Sequence, residues 1–308
     1  MGPLVGDSPD RLAEELRNFE EIARGIMPRP GSVPSLGGID VYGELAPLNG
    51  VIGGDHLIYM DFKKRYDLDA RIEAATRAGR RDIVGNLDRC RHMAGIALID
   101  VSGHQVTDAM LAAMFHQAFL TGALYELEMC GQITGRLFEN LNTRFNRSSR
   151  VSKFITALYG EISEDAHFRF LSAASPAPVV FSAENGRFME VSREDFASFP
   201  PLGTIPSKNV VDQKLSDGVL GFKEKYRINE WTLMGVGDIL LFYTDGLAEH
   251  TDGHAAYFPA RFEDAVRRAR HLGAPDIVRS VLADLRTFAD PRDDISLVAI
   301  KRGDREEF

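Results

Sequence analysis

The sequence predicts a single domain with an α+β fold and mainly antiparallel sheets, and three observations support this prediction. Strand-like segments form two clusters, one up to residue 100 and one from residue 154, with a pair of long helical segments between them. Short turns separate neighbouring strand segments, and this order is typical of hairpins rather than of a doubly wound parallel sheet. No long linker rich in proline, glycine or serine divides the 308 residues, so one domain with a helical N-terminal extension is expected.

The N-terminal extension is predicted to be an amphipathic helix over residues 9–27. Its apolar residues recur at helical spacing: Leu12, Leu16, Phe19, Ile22 and Ile26. Pro28 and Pro30 then end the helix. We therefore divide the chain into a helix and linker, residues 1–30, and a main domain, residues 31–308. The apolar stripe is interpreted in two ways: it pairs with a second subunit, or it packs on its own domain.

The main domain is predicted to open with two strands, at 39–47 and 56–62, around the glycine pair 53–54. Residues 63–92 follow as a charged helical excursion, with nine Lys or Arg against five Asp or Glu. The remaining elements are predicted in this order: a buried strand at 94–100; helices at 106–130 and 132–146; strands at 154–162, 168–174, 177–182 and 187–191; a strand at 237–246 that runs into a turn; helices near 259–270 and 275–288; and a strand at 295–301.

Composition excludes several classes of protein. A net charge of -9, from 45 acidic and 36 basic side chains, argues against a general nucleic-acid binder. Two cysteines, Cys90 and Cys130, are too few for a disulfide framework or a four-sulfur zinc site and are interpreted as free thiols in a reducing compartment. The N-terminal residues lack the features of a signal peptide, and His116 and Gln117 interrupt the longest apolar run. We therefore expect a cytoplasmic protein without membrane insertion.

Aspartates recur where apolar strands meet glycine turns. They are Asp55, Asp100, Asp245, Asp293 and Asp294. A carboxylate beside a core strand is costly unless it is solvated, paired or bound to metal, although each one alone is an ordinary turn residue. Carboxylates without histidine or cysteine partners suit hard cations such as Mg²⁺ or Mn²⁺. Two such ions about 4 Å apart can activate water and clamp phosphate oxygens.

These aspartates belong to motifs that follow one another in a fixed order. The motifs are GGD at 53–55, DVSGH at 100–104, FITALYGEI at 154–162, PPLG at 200–203, GDILLFYTDGLAE at 237–249 and DDISLV at 293–298. Over about residues 39–301 this ordered set resembles the SpoIIE/RsbU-like branch of the PPM (protein phosphatase 2C-like) superfamily. The resemblance implies an α/β/β/α sandwich and a phosphatase that removes phosphate from serine or threonine with water activated by two divalent cations. It also suggests a STAS-type anti-sigma-factor antagonist as the phosphoprotein substrate.

The resemblance assigns metal-binding roles by position. Asp100 would bridge both cations, and the Val101 carbonyl would help to hold the second. Asp55 would hold the second cation directly or through water, while Asp245 and Asp293 would hold the first. Asp293 is preferred to its neighbour because the first acidic residue of this pair is the ligand in the family.

Other residues near these motifs carry open alternatives. Asp294 is interpreted as a capping or supporting residue, with a ligand role as the alternative. His104 could donate a proton to the leaving serine oxygen, or it is a turn residue bonded to backbone. The family's usual GGDxxD reads GGDHLIYMD here, so the next carboxylate, Asp61, is displaced. SAASPAP, with Ala174 and Ser175, stands where relatives often have a glycine-histidine pair.

Three further interpretations compete with this one. Basic residues of the excursion could receive a phosphoprotein or form a solvated face; they are Lys63, Lys64, Arg65, Arg80 and Arg81. Cys130 and Arg136 match the C-x5-R pattern of cysteine-dependent phosphatases, but no strand is predicted before the cysteine, which indicates a chance match at a helix-helix turn. A degenerate phosphatase fold that binds a partner without turnover is the non-enzyme alternative.

Overall fold

Two sheets pack face to face, and helices cover the outer face of each. This arrangement is seen in a computed structural model that describes residues 9–28, 33–49, 53–103, 106–148, 153–190, 196–208, 218, 220–232 and 234–303. The strands are β1 Ile39–Ala46, β2 His56–Asp61, β3 Met93–Val101, β4 Ile155–Ser163, β5 Phe168–Ala173, β6 Val179–Ser182, β7 Arg187–Phe188, β8 Ser198–Phe199, β9 Asn229–Trp231, β10 Ile239–Tyr243 and β11 Ile295–Arg302.

The helices follow the predicted order. They are α1 Pro9–Arg24, α2 Phe62–Arg65, α3 Leu68–Arg77, α4 Arg81–Arg89, α5 Val106–Cys130, α6 Gly135–Ser148, α7 Asp245–Ala248, α8 Ala260–Ala269 and α9 Ala274–Phe288, with a 3-10 turn at Cys90–His92. Within the described ranges, no helix combines the length and the apolar character that a membrane crossing needs.

Each sheet is built mainly from antiparallel neighbours, as predicted. Sheet 1 has the strand order β1-β11-β10-β6-β7, and sheet 2 has the order β2-β3-β4-β5-β8 with β9 also on β5. The short β5-β8 pair is parallel, and the other pairs are antiparallel. The mixed α+β class and the α/β/β/α sandwich are therefore confirmed.

Alternating side chains of the central strands separate the two buried layers of sheet 2. Ile96 and Leu98 of β3 face sheet 1, whereas Ala97 and Ile99 face the helices. Between the sheets, Phe168 and Phe242 lie with ring centroids 5.3 Å apart, one ring from each sheet. Replacing either ring by alanine would lower the free energy of unfolding by about 3–5 kcal/mol, so this contact contributes strongly to the packing of the two sheets.

The structure corrects a few predicted boundaries. The first helix ends at Arg24 rather than at 27, because the Gly25 amide bonds back to Ile22 and Glu21 and closes the last turn. The segment after β10 is a four-residue helix that begins at Asp245, not a simple turn. β8 and β9 were not predicted, since strands of two and three residues are too short to show an alternation.

The first helix makes a limited contact with the domain. Phe19 and Met27 pack against Ala109 of α5. Leu16 and Ile22 of the same apolar stripe remain 42% and 73% exposed. Part of the stripe therefore packs on its own domain, and part of it faces outward.

Candidate active site

The predicted aspartates converge at one end of the sandwich because of strand pairing. His56 of β2 is paired with Ile99 of β3, so Asp55 and Asp100, one residue beyond each, lie at the same end of sheet 2. In sheet 1, Tyr243 is paired with Leu297, which brings the residues after β10 and before β11 to one end. The structure thus brings together carboxylates that are up to 239 residues apart in the sequence.

Asp55 is held from the opposite sheet. Its Oδ2 atom accepts hydrogen bonds from Thr244 Oγ1 at 2.8 Å and from Ser296 Oγ at 2.6 Å. The Ser296 amide in turn donates to Thr244 Oγ1 at 3.0 Å. Sequence reasoning missed both hydroxyl residues. Thr244 lies within the TDG motif and Ser296 within DDIS, but hydroxyls beside turns are too common to indicate a role by themselves.

The carboxylates repel one another in a partly dehydrated site. Burial, with the nearby charge of Asp100, raises the pKa of Asp55 well above its ordinary value. Burial, with the charges of Asp245 and Asp293, raises the pKa of Asp100 to about 7. Burial and the charge of Asp293 also raise the pKa of Asp245. The site is therefore a concentration of negative charge that a bound cation would relieve.

The two neighbouring aspartates at 293 and 294 have different surroundings. Asp294 is 3% exposed, and its carboxylate accepts the Leu48 amide at 2.7 Å and the Gly54 amide at 2.7 Å. Asp293 is exposed, and its Oδ1 atom accepts the Asp294 amide at 2.8 Å. Asp294 thus fastens the GGD loop to the start of β11, while Asp293 faces the open side of the site.

The GGD loop lies directly on the loop that follows β3. A Cβ atom on Gly54 would lie 2.5 Å from the Val101 carbonyl oxygen and 2.5 Å from that of Gly103. The Val101 amide also donates to the Gly54 carbonyl at 3.3 Å. Glycine at 54 is therefore required for this close approach, which keeps Asp55 beside Asp100.

The donor set fits hard divalent cations by chemistry and charge. The grouped side chains are carboxylates, with the Val101 carbonyl beside them, and oxygen donors of this kind suit Mg²⁺ or Mn²⁺. Thr156 Oγ1 donates to Asp100 Oδ2 at 3.4 Å and leaves the other Asp100 oxygen for a ligand. Within the described part of the chain, however, no three Asp, Glu, His or Cys side chains are arranged to hold a metal ion by themselves.

Two other residues near the predicted motifs, His56 and Asp61, do not join this group. His104 lies outside the described residues. His56 is a buried strand residue whose Nε2 atom lies 2.7 Å from Nδ1 of His116 in α5. Asp61 lies at the other end of β2, where it accepts the amides of Ser35 and Lys64. With a rise of about 3.3 Å per residue, β2 separates Asp61 from Asp55 by roughly 20 Å.

The basic residues of the excursion also lie away from the carboxylates. Lys64 forms an ion pair with Asp61 at 3.3 Å, beyond the far end of β2. Arg80 donates to the Met129 carbonyl at 2.7 Å, at the C-terminal end of α5. These positions favour the solvated-face interpretation over a direct contact with the reacting phosphate.

The C-x5-R match is a helix-helix turn. Cys130 is the last residue of α5, and Arg136 lies in the first turn of α6. Arg136 Nε donates to Glu126 at 2.9 Å, and Nη2 lies 3.5 Å from the Cys130 sulfur. A phosphate-binding cysteine loop follows a strand, so this geometry does not support a thiol mechanism.

Comparison with known proteins places this arrangement in a known fold. The sequence model described as Stage II sporulation protein E (SpoIIE) matches residues 91–303, so the GGD loop lies outside the match. The SiaA-PP2C domain of Pseudomonas aeruginosa is 16% identical, covers 95% of this chain and 97% of its own, and has a TM-score of 0.65. No curated protein matches the chain in sequence.

Two further solved structures share the fold. The RsbU and RsbW domains of Rv1364c from Mycobacterium tuberculosis are 20% identical, with 88% of this chain and 62% of that chain covered and a TM-score of 0.56. The PP2C phosphatase domain of SpoIIE from Bacillus subtilis, with a fragment of its regulatory domain, is 14% identical, with 85% and 63% covered and a TM-score of 0.58. This chain spans less than two thirds of either. At these identities the likeness shows the fold alone.

Proposed function

The chain belongs to the SpoIIE family of PP2C-like phosphatases, and from that premise we propose that it removes phosphate from serine or threonine of a partner protein. One observation supports this most strongly. Asp55, which precedes a strand of sheet 2, is held by Thr244 and Ser296 of the opposite sheet, beside Asp100. Hydroxyls that fix one carboxylate among several others are expected where ligand geometry matters.

The proposed activity depends on two divalent cations, Mn²⁺ or Mg²⁺. We assign Asp100 to both ions, Asp245 and Asp293 to the first, and Asp55 with the Val101 carbonyl to the second. Cations held there would neutralise phosphate oxygens and supply a nucleophile at neutral pH by lowering the pKa of water. Burial, together with the charges of neighbouring carboxylates, raises the pKa of Asp100 and Asp245, and this supports the assignment.

The chain's own residues prepare the site for that chemistry. Thr244 and Ser296 both donate to Oδ2 of Asp55, so the orientation of this carboxylate is set before a cation binds. Asp294 holds the Gly54 amide and so keeps the GGD loop in register with β11. His104 is proposed as the proton donor to the leaving serine or threonine oxygen.

The substrate we propose is a phosphorylated STAS-type anti-sigma-factor antagonist or a similar signalling protein. The support is the family resemblance, together with the occurrence of RsbU and RsbW domains in the solved Mycobacterium tuberculosis structure. A phosphoproteomic comparison of cells with wild type and with Asp100→Asn tests it directly. The expected result is one small phosphoprotein that accumulates when Asp100 is changed.

A homodimer through α1 is the partner arrangement that we propose. Leu16 and Ile22 remain exposed although Phe19 of the same helix packs on α5. An exposed apolar stripe of this kind is typical of a helix that pairs with another surface. Because α1 contacts α5, which begins shortly after Val101, pairing could bias how the second cation is held.

Hydrolysis of p-nitrophenyl phosphate tests the activity against its two alternatives. We expect turnover with Mn²⁺, loss of turnover with EDTA, and no effect of a thiol alkylator. Turnover that survives excess EDTA but is lost on alkylation of Cys130 would support a thiol mechanism instead. Folded protein with no turnover of this substrate or of phosphoproteins would indicate a degenerate binding module. This module is the second candidate function, because among the described residues no three Asp, Glu, His or Cys side chains are arranged to hold a metal ion by themselves.

A further inference from the structure

Lys153 brings an ammonium group against the loop that follows Asp100. Its Nζ atom lies 2.5 Å from Oδ1 of Asp108, a residue of α5 that is fully buried. A Cβ atom on Gly103 would lie 2.9 Å from the same Nζ and 2.7 Å from Asp108 Oδ2. The ammonium therefore packs on the backbone of the loop that follows Asp100, at a position that only glycine leaves open.

The backbone beside Lys153 is bonded to that loop. The Ser102 amide donates to the Phe154 carbonyl at 3.0 Å, and the Phe154 amide donates to Ser102 Oγ at 3.1 Å. Two residues later, Thr156 is paired with Asp100 in the β3-β4 ladder. Lys153 thus has a fixed place relative to Asp100, although it lies outside the strands and 53 residues away in sequence.

A phosphate dianion approaching this site meets several carboxylates. Resident cations would offset part of their charge, and a further positive group at the edge would favour an incoming phosphoryl group over a neutral one. The ammonium of Lys153 has three N–H donors, and its side chain is 24% exposed, so donors remain for a ligand after the bond to Asp108. The bond to the buried Asp108 carboxylate restricts the direction of the ammonium.

We propose that Lys153 contacts the phosphoryl group of the substrate and so contributes to its binding. This inference rests on the proposed phosphatase function, since it names a substrate contact at the same site. Asp108 acts through Lys153 as a positioning residue, because it is buried and bonds the ammonium. The competing explanation is a structural clamp in which the ion pair only joins α5 to the start of β4.

The two explanations differ in what the loss of Lys153 changes. A phosphate contact affects KM for p-nitrophenyl phosphate and the inhibition constant of inorganic phosphate. A structural clamp affects the Mn²⁺ concentration for half-maximal activity, because it sets the position of the Val101 carbonyl. Lys153→Met should raise KM and the phosphate inhibition constant at least about tenfold, and Lys153→Arg should restore most of the loss.

Lys63→Met is the matched control, because this exposed lysine follows the far end of β2. It should leave all three constants unchanged. Lys153→Met leaves the Asp108 carboxylate buried without its cation, which destabilises the fold. The double variant Lys153→Met with Asp108→Asn is therefore measured as well, because it replaces the ion pair by neutral groups of similar size. An unchanged phosphate inhibition constant in either folded variant, or a changed Mn²⁺ requirement alone, would overturn the proposal.

A binding measurement separates this inference from the proposed function. Calorimetric titration of Mg²⁺-loaded protein with inorganic phosphate needs no turnover. If the wild type binds phosphate at least tenfold more tightly than Lys153→Met, the inference holds even for a protein that hydrolyses nothing. If the wild type hydrolyses phosphoprotein but both proteins bind phosphate equally, the proposed function stands and the role of Lys153 is wrong.

Discussion

Ser296 donates a hydrogen bond of 2.6 Å to the carboxylate of Asp55, and the two residues approach from opposite sheets of the sandwich. Ser296 lies in β11, whereas Asp55 directly precedes β2. The bond therefore depends on the packing of one sheet on the other, and any shift between the sheets would turn the carboxylate. The geometry of the proposed metal site is in this way tied to the core between Phe168 and Phe242.

The hydroxyls that hold Asp55 should be needed for activity although neither is a proposed ligand. Ser296→Ala should lower kcat/KM by about tenfold, and Ser296→Ala with Thr244→Val by about a hundredfold, since partners that orient a ligand typically contribute this much. The Mn²⁺ concentration for half-maximal activity should rise in parallel. Ser163→Ala, at the far end of β4, is the control. Wild-type rates in the double variant would show that Asp55 does not need this orientation.

The proposed ligands should rank by the number of cations each one holds. Asp100→Asn should cost most, on the order of three decades or more in kcat, because it removes charge that both ions share. Asp245→Asn and Asp293→Asn should lower kcat by a smaller factor. In metal-free protein, Asp100→Asn should raise the Tm, since burial and the repulsion from neighbouring carboxylates disfavour an ionised group there. Thermal denaturation in EDTA and with Mn²⁺ measures the Tm of the metal-free and the metal-loaded protein. If Mn²⁺ raised the Tm of Asp100→Asn as much as that of the wild type, the proposed role of Asp100 would be contradicted.

Asp294→Asn should affect stability more than chemistry. The carboxylate accepts two backbone amides, from Leu48 and Gly54, and a buried amide side chain offers one acceptor oxygen and an unmatched donor. We expect a loss of about 1–3 kcal/mol in the free energy of unfolding and a milder loss of kcat than in Asp293→Asn. Denaturant titration and steady-state kinetics give the two quantities. An inactive Asp294→Asn beside an active Asp293→Asn would reverse our assignment within the pair.

The exposed half of the α1 stripe gives a test of the dimer. Leu16→Glu with Ile22→Glu should reduce the mass measured by light scattering to that of a monomer. If pairing is coupled to the second cation by about 1–3 kcal/mol, the usual size of such couplings, the Mn²⁺ dependence of activity should shift as well. Exposed Arg17→Glu on the same helix is a control for charge alone. Unchanged mass and unchanged metal dependence in the double variant would rule this coupling out.

The buried histidine pair should make stability sensitive to acid. Burial, with the charge of Arg65, lowers the pKa of His116 from 6.5 to about 4, and burial beside His116 lowers the pKa of His56 to about 3. Below about pH 6.5 the unfolded chain therefore binds more protons than the folded one. The stabilisation by the neutral pair is complete above pH 6.5 and is lost as pH falls through about 4. Over this range the free energy of unfolding falls by about 1.4 kcal/mol per pH unit for each histidine.

His116→Gln should reduce that slope, because glutamine fills a similar volume and carries no titrating group. Denaturant unfolding at pH 7, 6 and 5 measures it, and His271→Gln on the surface is the control. Equal slopes in wild type and His116→Gln would contradict the shifted pKa of this residue.

Local pattern was sufficient to predict most of the secondary structure. The 106–130 helix has the same bounds in the structure, because this long run is apolar on most sides and contains no proline. The strands at β1, β3, β4 and β11 were predicted within about two residues, since alternating or continuous apolar runs depend on neighbours in sequence. The acidic motifs likewise indicated which aspartates to consider, because the order of motifs is itself a property of the sequence.

The sequence by itself determined the element order, the α+β class and the set of candidate carboxylates. Tertiary structure alone decided which groups support them: Thr244 and Ser296 on Asp55, Asp294 on the GGD loop, and Lys153 beside Gly103. It also decided that the basic excursion lies at the far end of sheet 2. The physical reason is that periodicity reports which face of an element is buried, whereas hydrogen bonds between groups 45 to 241 residues apart depend on strand register and on the packing of separate layers.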